Sequence, residues 1–364
     1  MHHLMNMKKI VFILITVMFF IQCKKDNASV QNTIEVTDAL GRKVKVPENI
    51  TRIVAVNAGA MRFVSYIGAI PLVVGIEEKE TRATRPYNFA FPEIRKITII
   101  GPQPGGDAEL IMKSKAQVVF WTASANGTPD DFQKKTGIPV VVIENGELGI
   151  ENDKIFNSLK IIGKVLKKEK RAEELIAYME TEMKELQSLT KDIPESKKPT
   201  TYAGGLSFNG AHGIVSTRAN FTPFLLVNAK NVVSEMNNGV LNTKPIMIDL
   251  EKLMQWNPDY IFIDSEGWKM AQSELKVGTP LHKNLSAIKN NKVYIIPRYI
   301  NNSFSYDYIF IDAWYIAKTL YPEKFIAVDI EKKSTEILEK FYEKKINLKD
   351  FDLEYRNLKT EDFK

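Results

Sequence analysis

The sequence predicts an α/β protein of two Rossmann-like lobes with central parallel sheets, bridged by one long α-helix. Three observations carry that reading. Short apolar runs, each the length of a buried strand, alternate with helical patterns in both halves of the 364-residue chain, the rhythm of parallel sheets covered by helices. One helix–strand unit occurs twice. Asp107-Ala108-Glu109-Leu110-Ile111-Met112 leads into Val118-Val119-Phe120-Trp121, and Asp249-Leu250-Glu251-Lys252-Leu253-Met254 leads into Tyr260-Ile261-Phe262-Ile263, with Asp, Glu, Met and Phe at identical offsets 142 residues apart. Between the copies, Ala172, Leu175, Ile176, Met179, Met183 and Leu186 fall at helical spacing, and residues 169–192 contain neither Gly nor Pro. Such a helix is about 35 Å long at 1.5 Å per residue. Two similar lobes on one chain place a ligand site between them, since ligand sites favour such interfaces.

The elements follow in order. Residues 36–46 alternate and turn at Leu40-Gly41-Arg42, a hairpin signal. Ile53-Val54-Ala55-Val56 is a buried strand, and Met61, Val64, Ile67 and Ile70 after it mark a short amphipathic helix. Leu72-Val73-Val74-Gly75-Ile76 is a strand, residues 86–104 are rich in turns, and Val140-Val141-Val142-Ile143 is another strand. Pro194 and Pro199 close the long helix. Strands at Tyr202-Ala203, at 260–263 and at Val293-Tyr294-Ile295-Ile296 follow, with a helix at Phe224-Leu225-Leu226, and residues 308–345 are helical again. The resulting division is an N-terminal lobe 34–168, a connecting helix 169–192, a C-terminal lobe 193–347 that includes terminal helices, and a charged tail 348–364.

Composition narrows the function. A formal net charge of +6, with both signs interspersed, describes solvated helices rather than a nucleic-acid stripe, so no nucleic-acid partner is expected. A single cysteine, Cys23, excludes a disulfide framework and a cysteine-rich metal site. Its position is informative. Lys8-Lys9 precedes an apolar run at 10–21, too short for a comfortable span and shaped like a secretory signal. Cys23 just after that run resembles the bacterial lipoprotein signal. That resemblance implies a signal peptide at 1–22, lipidation of Cys23 and a polar tether at 23–33. An ordinary signal peptide or an uncleaved anchor is the alternative. All of them place residues 24–364 outside the cytoplasm.

The segment Val36-Thr37-Asp38-Ala39-Leu40-Gly41-Arg42-Lys43-Val44-Lys45-Val46-Pro47 resembles the opening hairpin of ABC-transporter substrate-binding proteins of the ferric-siderophore, haem and cobalamin class. Arg52-Ile53-Val54-Ala55, then a helix, Gly68-Ala69 and Val73-Val74-Gly75 resemble the same family, as do the repeated Glu-helix-strand units and the helical link. The likeness covers about residues 34–345. It implies a monomeric, extracytoplasmic, membrane-anchored lipoprotein that is not an enzyme. In that role it would capture an iron chelate, haem or a corrinoid in the cleft, with no cofactor of its own. An ABC permease with its ATPase would be the partner. The resemblance also implies that Glu109 and Glu251, at matched offsets, dock arginine pockets of the permease. First-turn glutamates also suit a helix dipole with no partner at all.

Ligand contacts are expected in loops at the carboxyl ends of strands. Arg62 and Arg298 are the candidate cations for carboxylates of haem or of an anionic chelate. Gly204-Gly205-Leu206-Ser207-Phe208-Asn209-Gly210-Ala211-His212-Gly213 is the most unusual segment: glycines allow backbone to approach a ligand, and Ser207, Asn209 and His212 add polar groups. It lacks the Gly-Lys-Ser/Thr of a nucleotide P-loop and the G-x-S-x-G of a hydrolase elbow. Trp121, Tyr202, Trp268, Tyr299 and Tyr306 are the aromatics placed to stack on a flat ligand or hydrogen-bond it. Only His212 and His282 remain beyond the signal, too few for a bare metal site. No nucleophile–base constellation is present. An enzyme with the same two-lobe plan is the alternative from another class, and a non-transport surface lipoprotein is a third.

Overall fold

The run Ile53-Val54-Ala55-Val56 offers water no polar face, and it becomes the inner strand of a parallel sheet with all four residues buried. The computed structural model describes residues 32–122, 125, 127–207, 210–237, 245–351 and 353–364. Strands β1 (Thr33–Thr37) and β2 (Lys43–Pro47) form the opening hairpin, with Gly41 at φ +78° in its turn. Asp38 fixes that hairpin to the body: its carboxylate pairs with Arg42 at 2.7 Å and accepts the Val142 N–H at 3.1 Å. The first sheet runs β4 (Val73–Gly75), β3 (Ile53–Val56), β5 (Val118–Thr122), β6 (Val140–Ile143), all parallel.

The second sheet repeats that winding. Its order is β9 (Lys230–Asn231), β7 (Thr200–Gly204), β11 (Tyr260–Asp264), β12 (Val293–Ile296), again parallel. A side ribbon pairs β8 (Ser216–Thr217) with β10 (Ile246–Met247). The two sequence copies occupy equivalent places. Each supplies the third strand of its sheet, and Phe120 and Phe262 are both fully buried there. The preceding helices are α2 (Ala108–Lys113) and α5 (Leu250–Trp256), each carrying its glutamate in the first turn. Asp107 caps α2 through the Leu110 N–H at 2.9 Å. Asp249 occupies the same cap position without that bond.

Helix α1 (Asn57–Tyr66) leaves β3 and is buried along its whole length. Helix α3 (Asn152–Leu166) leads into the connecting helix α4 (Glu169–Thr190), which buries all six apolar residues that the spacing singles out. Helix α4 packs on α3 and on the terminal helices α6 (Tyr306–Leu320) and α7 (Ile330–Tyr342). Its buried Glu182 accepts Trp314 Nε1 at 2.6 Å and Lys333 Nζ at 2.7 Å, so the charge that its apolar stripe encloses is paired. Residues 34–364 form one compact unit.

The C-terminal segment corrects one expectation. Residues 348–364 are not a charged tail hanging free: β13 (Arg356–Asn357) adds an antiparallel edge strand to β12. The apolar side chains decide this. Leu358 and Phe363 are buried in the second sheet's core. The Phe363 ring lies 6.2 Å from Trp268, and its carbonyl accepts the Val277 N–H at 2.7 Å. Phe363→Ala should therefore cost about 3 kcal/mol of unfolding free energy, as for a core aromatic. A denaturant midpoint unchanged from the parent chain would return the segment to the status of a tail.

Candidate functional site

Both sheets wind in the order 2-1-3-4, so each has its topological switch between the first and third strands. Ligands sit outside the carboxyl ends of strands at such a point. In the first sheet this is the end of β3 and β5, in the second the end of β7 and β11. At the end of β3, Asn57 takes φ +74°, a left-handed conformation that Asn tolerates. Its N–H donates to the buried carboxylate of Glu77 at 3.0 Å, which also accepts Gln103 Nε2 at 2.9 Å and the Gly105 N–H at 2.7 Å. One carboxylate thereby ties together three loops of the first half. Burial holds its pKa above the ordinary value in spite of those donors.

The two halves meet across a cleft of about 550 Å³. Its lining is cationic and polar: Lys79, Arg218 and Arg298, with Ser207, Asn301 and Asn302. Ile300 is the one aliphatic side chain among the described lining residues. Arg298 pairs with Glu266 at 3.0 Å and stays partly exposed. Polar bonds cross between the halves beside the cleft. Arg85, buried in an ion pair with Glu80, donates to the Asn301 carbonyl and to Gln103 Oε1, each at 3.3 Å. Asn302 Nδ2 donates to Gln103 Oε1 at 3.2 Å.

The residues singled out in the sequence separate into groups. Ser207 and Arg298 line the cleft. Tyr299 and Tyr306 are buried beside it: the Tyr299 ring packs on Phe221 at 5.5 Å, and the Tyr306 hydroxyl donates to the Gly146 carbonyl at 3.0 Å. Arg62 does not line the cleft. It sits within α1, 1 % exposed, with its guanidinium 5.6 Å from the Tyr87 ring centroid and none of its three nitrogens hydrogen-bonded. Its charge lies near Asp307, which accepts the hydroxyls of Tyr66 at 3.0 Å and Tyr342 at 2.5 Å.

Four of the five aromatic candidates, all but the half-buried Trp268, are buried, and two of them lie in strand cores. Trp121 is a core residue of β5, its ring 5.0 Å from Phe132, because its position in the strand points it under the helix Pro129–Thr136. Tyr202 is equally buried in β7, and its hydroxyl donates to the Ile214 carbonyl at 2.7 Å. It pins the glycine loop instead of facing a ligand. The glycines follow the same logic. A Cβ on Gly204 would meet the Ile214 carbonyl oxygen at 2.6 Å, and one on Gly267 the Gly205 carbonyl oxygen at 2.1 Å. Backbone approaches backbone there. His212 is half-buried and is not among the cleft-lining residues. Asn209 and Cys23 lie outside the described residues. Glu109 and Glu251 are both exposed at helix starts beside the carboxyl ends of the strands.

Sequence reasoning missed Lys79, Arg218 and the Glu77, Glu80 and Arg85 cluster. Arg218 follows a two-residue strand with no periodic signal, and residues 77–80 carry no motif. Among the described residues no group of three or more His, Cys, Asp or Glu side chains forms a metal site.

Asp264, at the end of β11, is also buried. Burial pushes its carboxyl up to about 7, opposed by the Glu266 N–H and by Arg298. A carboxyl raised in the fold contributes stability that is complete below its unfolded value near 3.8 and is lost as pH rises through about 7. At 1.36 kcal/mol per pH unit the pH-dependent part is on the order of 2–4 kcal/mol. Asp264→Asn should remove that loss, so that unfolding free energies at about pH 4 and about pH 8 lie closer together than in the parent chain. Equal pH dependence in the two proteins would place the titration elsewhere.

The family described as periplasmic binding protein matches residues 53–300. Molybdate-binding protein MolA of Haemophilus influenzae is 24% identical over 344 residues, covering 84% of this chain and 90% of its own. An uncharacterized ABC transporter substrate-binding lipoprotein, YvrC of Bacillus subtilis, is 22% identical over 281 residues, covering 74% of this chain and 82% of its own. The solved structure of MolA bound to molybdate shares the fold with a TM-score of 0.68 at 22% identity, covering 86% of this chain and 99% of that one. A periplasmic solute binding protein from Veillonella parvula does so with a TM-score of 0.69 at 19% identity, covering 88% and 95%. No helix among the described residues is long and apolar enough to cross a membrane. The repeated winding, the cleft and the family match over most of the chain agree: it belongs to the periplasmic binding protein family, as an extracytoplasmic solute-binding protein of the ABC-importer class.

Proposed function

We propose that the protein captures an oxygen-rich anionic solute in its cleft and hands it to an ABC import permease. The carrying observation is the lining: three cationic side chains, three polar ones and a single aliphatic residue. Guanidinium and ammonium donors match carboxylate and oxo oxygens. A haem or corrinoid would find little apolar surface there. Of the ligands that the resemblance implies, the iron chelate therefore fits best, in an anionic form with carboxylate oxygens. Molybdate, which the relative MolA binds, shares that chemistry. The cleft's volume of about 550 Å³ lies in the range of small-molecule sites and favours a chelate over a single oxyanion.

The test is calorimetric titration of residues 24–364 with ferric citrate, molybdate, haemin and cyanocobalamin. An anion should bind saturably, and Arg298→Ala should weaken it by about 2 kcal/mol. Tight binding of haemin or cyanocobalamin with neither anion bound would refute the reading.

Delivery adds two proposals. Glu109 and Glu251 dock the permease through charge-assisted bonds to arginine, supported by their exposure at equivalent places in the repeated sheets. Cys23 carries the lipid anchor, supported by the lipoprotein-like signal. Replacing both glutamates by Ala should leave ligand affinity unchanged, lower stability by at most about 1 kcal/mol per site and abolish uptake in a complemented deletion strain. Normal uptake by the well-expressed double variant would return both residues to ordinary first-turn carboxylates.

A further inference from the structure

Arg218, which lines the cleft, and the buried Glu147 face each other in an unfinished pair. Arg218 is 7 % exposed, lines the cleft, and lies with its guanidinium 6.0 Å from the Phe304 ring centroid. Its Nε and Nη1 have no hydrogen-bond partner. Glu147 comes from the loop after β6 in the other half and is fully buried. One carboxylate oxygen accepts the Thr222 hydroxyl at 2.6 Å. The other, Oε2, stands 3.5 Å from Arg218 Nη1 and accepts no hydrogen bond. Buried polar atoms are nearly always hydrogen-bonded. Here two donors and one acceptor sit together with their capacity unused, at the edge of a cation-lined cleft.

Among the described residues, Arg218 is the cation that faces Glu147. Glu151, at the start of α3, donates no charge relief: its own carboxylate accepts the Glu147 N–H at 3.1 Å and holds Lys154 at 2.6 Å. The hydroxyls of Tyr299 and Tyr306 are the other titratable groups facing it.

We infer that Glu147 is a resident competitor for Arg218: an anion entering the cleft takes the guanidinium donors that Glu147 faces without engaging, and the rival carboxylate sets the affinity. This rests on the anionic reading of the cleft. It adds a specificity rule, because a neutral solute has no charge with which to displace a carboxylate from an arginine. It also adds a proton. Burial already holds the Glu147 carboxyl above its ordinary value, with Arg218 opposing. Once the ligand occupies Arg218, that opposition weakens and the carboxyl binds a proton more readily. Anion uptake is then accompanied by proton uptake, and affinity rises as pH falls.

The experiment is titration of residues 24–364 with molybdate and with ferric citrate, in buffers of differing ionisation heat, between about pH 6 and about pH 8. The parent chain should take up part of a proton per anion bound and bind more tightly at the lower pH. Glu147→Gln keeps a carbonyl acceptor for Thr222; it should bind about tenfold more tightly at the higher pH and take up no proton. Arg218→Gln should lose most of the binding. If Glu147→Gln matches the parent in affinity and proton uptake while Arg218→Gln loses binding, the competitor role is wrong and the anionic cleft stands. If Arg218→Gln binds as the parent does, Arg218 is not a ligand residue and the inference falls. If neither anion binds the parent chain, the inference and the functional reading fall together. Proton uptake by the parent chain is measured without any variant, so a poorly folding substitution does not remove the test.

Discussion

Charge buried at the seam between the two sheets is the constraint on which the rest of the structure depends. An isolated charge in a low-dielectric interior costs several kcal/mol, and three of the carboxylates here recruit partners from different segments, while Arg62 and the Arg218–Glu147 pair keep hydrogen-bonding capacity unused. Glu77 gathers the backbone of Asn57 and Gly105 with the Gln103 side chain. Glu80 holds Arg85, which reaches across to Asn301. Asp307 at the start of α6 takes hydroxyls from Tyr66 on α1 and Tyr342 on α7. Hydrophobic burial makes each half compact, but it is non-directional. The Arg85–Asn301 and Tyr66–Asp307 bonds cross between the halves and fix where one lies against the other, and hence the shape of the cleft.

The repeated winding explains why the cleft can exist at all. In each sheet the third strand is led in by a short helix whose glutamate stands in the first turn, and the first strand ends in a backbone turn that small residues permit: Asn57 in one half, Gly204 and Gly205 in the other. The two ends are not chemically alike. The first half closes its turn around a buried carboxylate, while the second closes it by backbone against backbone at Gly205 and Gly267. Cations therefore reach the cleft mostly from the second half, through Arg218 and Arg298, with Lys79 facing them from the first.

The sequence made legible what depends on periodicity. The buried stripe of α4, the strand at 53–56 and the paired units at 107 and 249 follow from spacing alone, and each lies where the spacing puts it. Side-chain direction at strand ends was not legible. Trp121 and Tyr202 stand close to the carboxyl ends of their strands, yet both point into cores, because a single residue's change of register in a strand reverses its face. The final segment misled for another reason. Its charge density hid Leu358 and Phe363, and two buried apolar residues suffice to bring β13 onto the sheet edge. Arg218 had no local signal, since its role arises from Glu147, 71 positions earlier in the chain.

Helix α4 and the polar bonds across the seam act in the same direction on motion. A hinge that opened the halves widely would separate Tyr306 from Gly146, Thr222 from Glu147 and Arg85 from Asn301 together, leaving buried donors and acceptors unmatched at about 1–3 kcal/mol each. It would also strip Trp314 and Lys333 from Glu182 on the helix. Adjusting side chains within the cleft breaks none of these. Arg298 is partly exposed in a single ion pair, and Arg218 already has donors unused. The path of least cost for accommodating a ligand is thus a rearrangement of these two guanidinium groups over a fixed frame, with the frame's own carboxylates as the charges they leave behind.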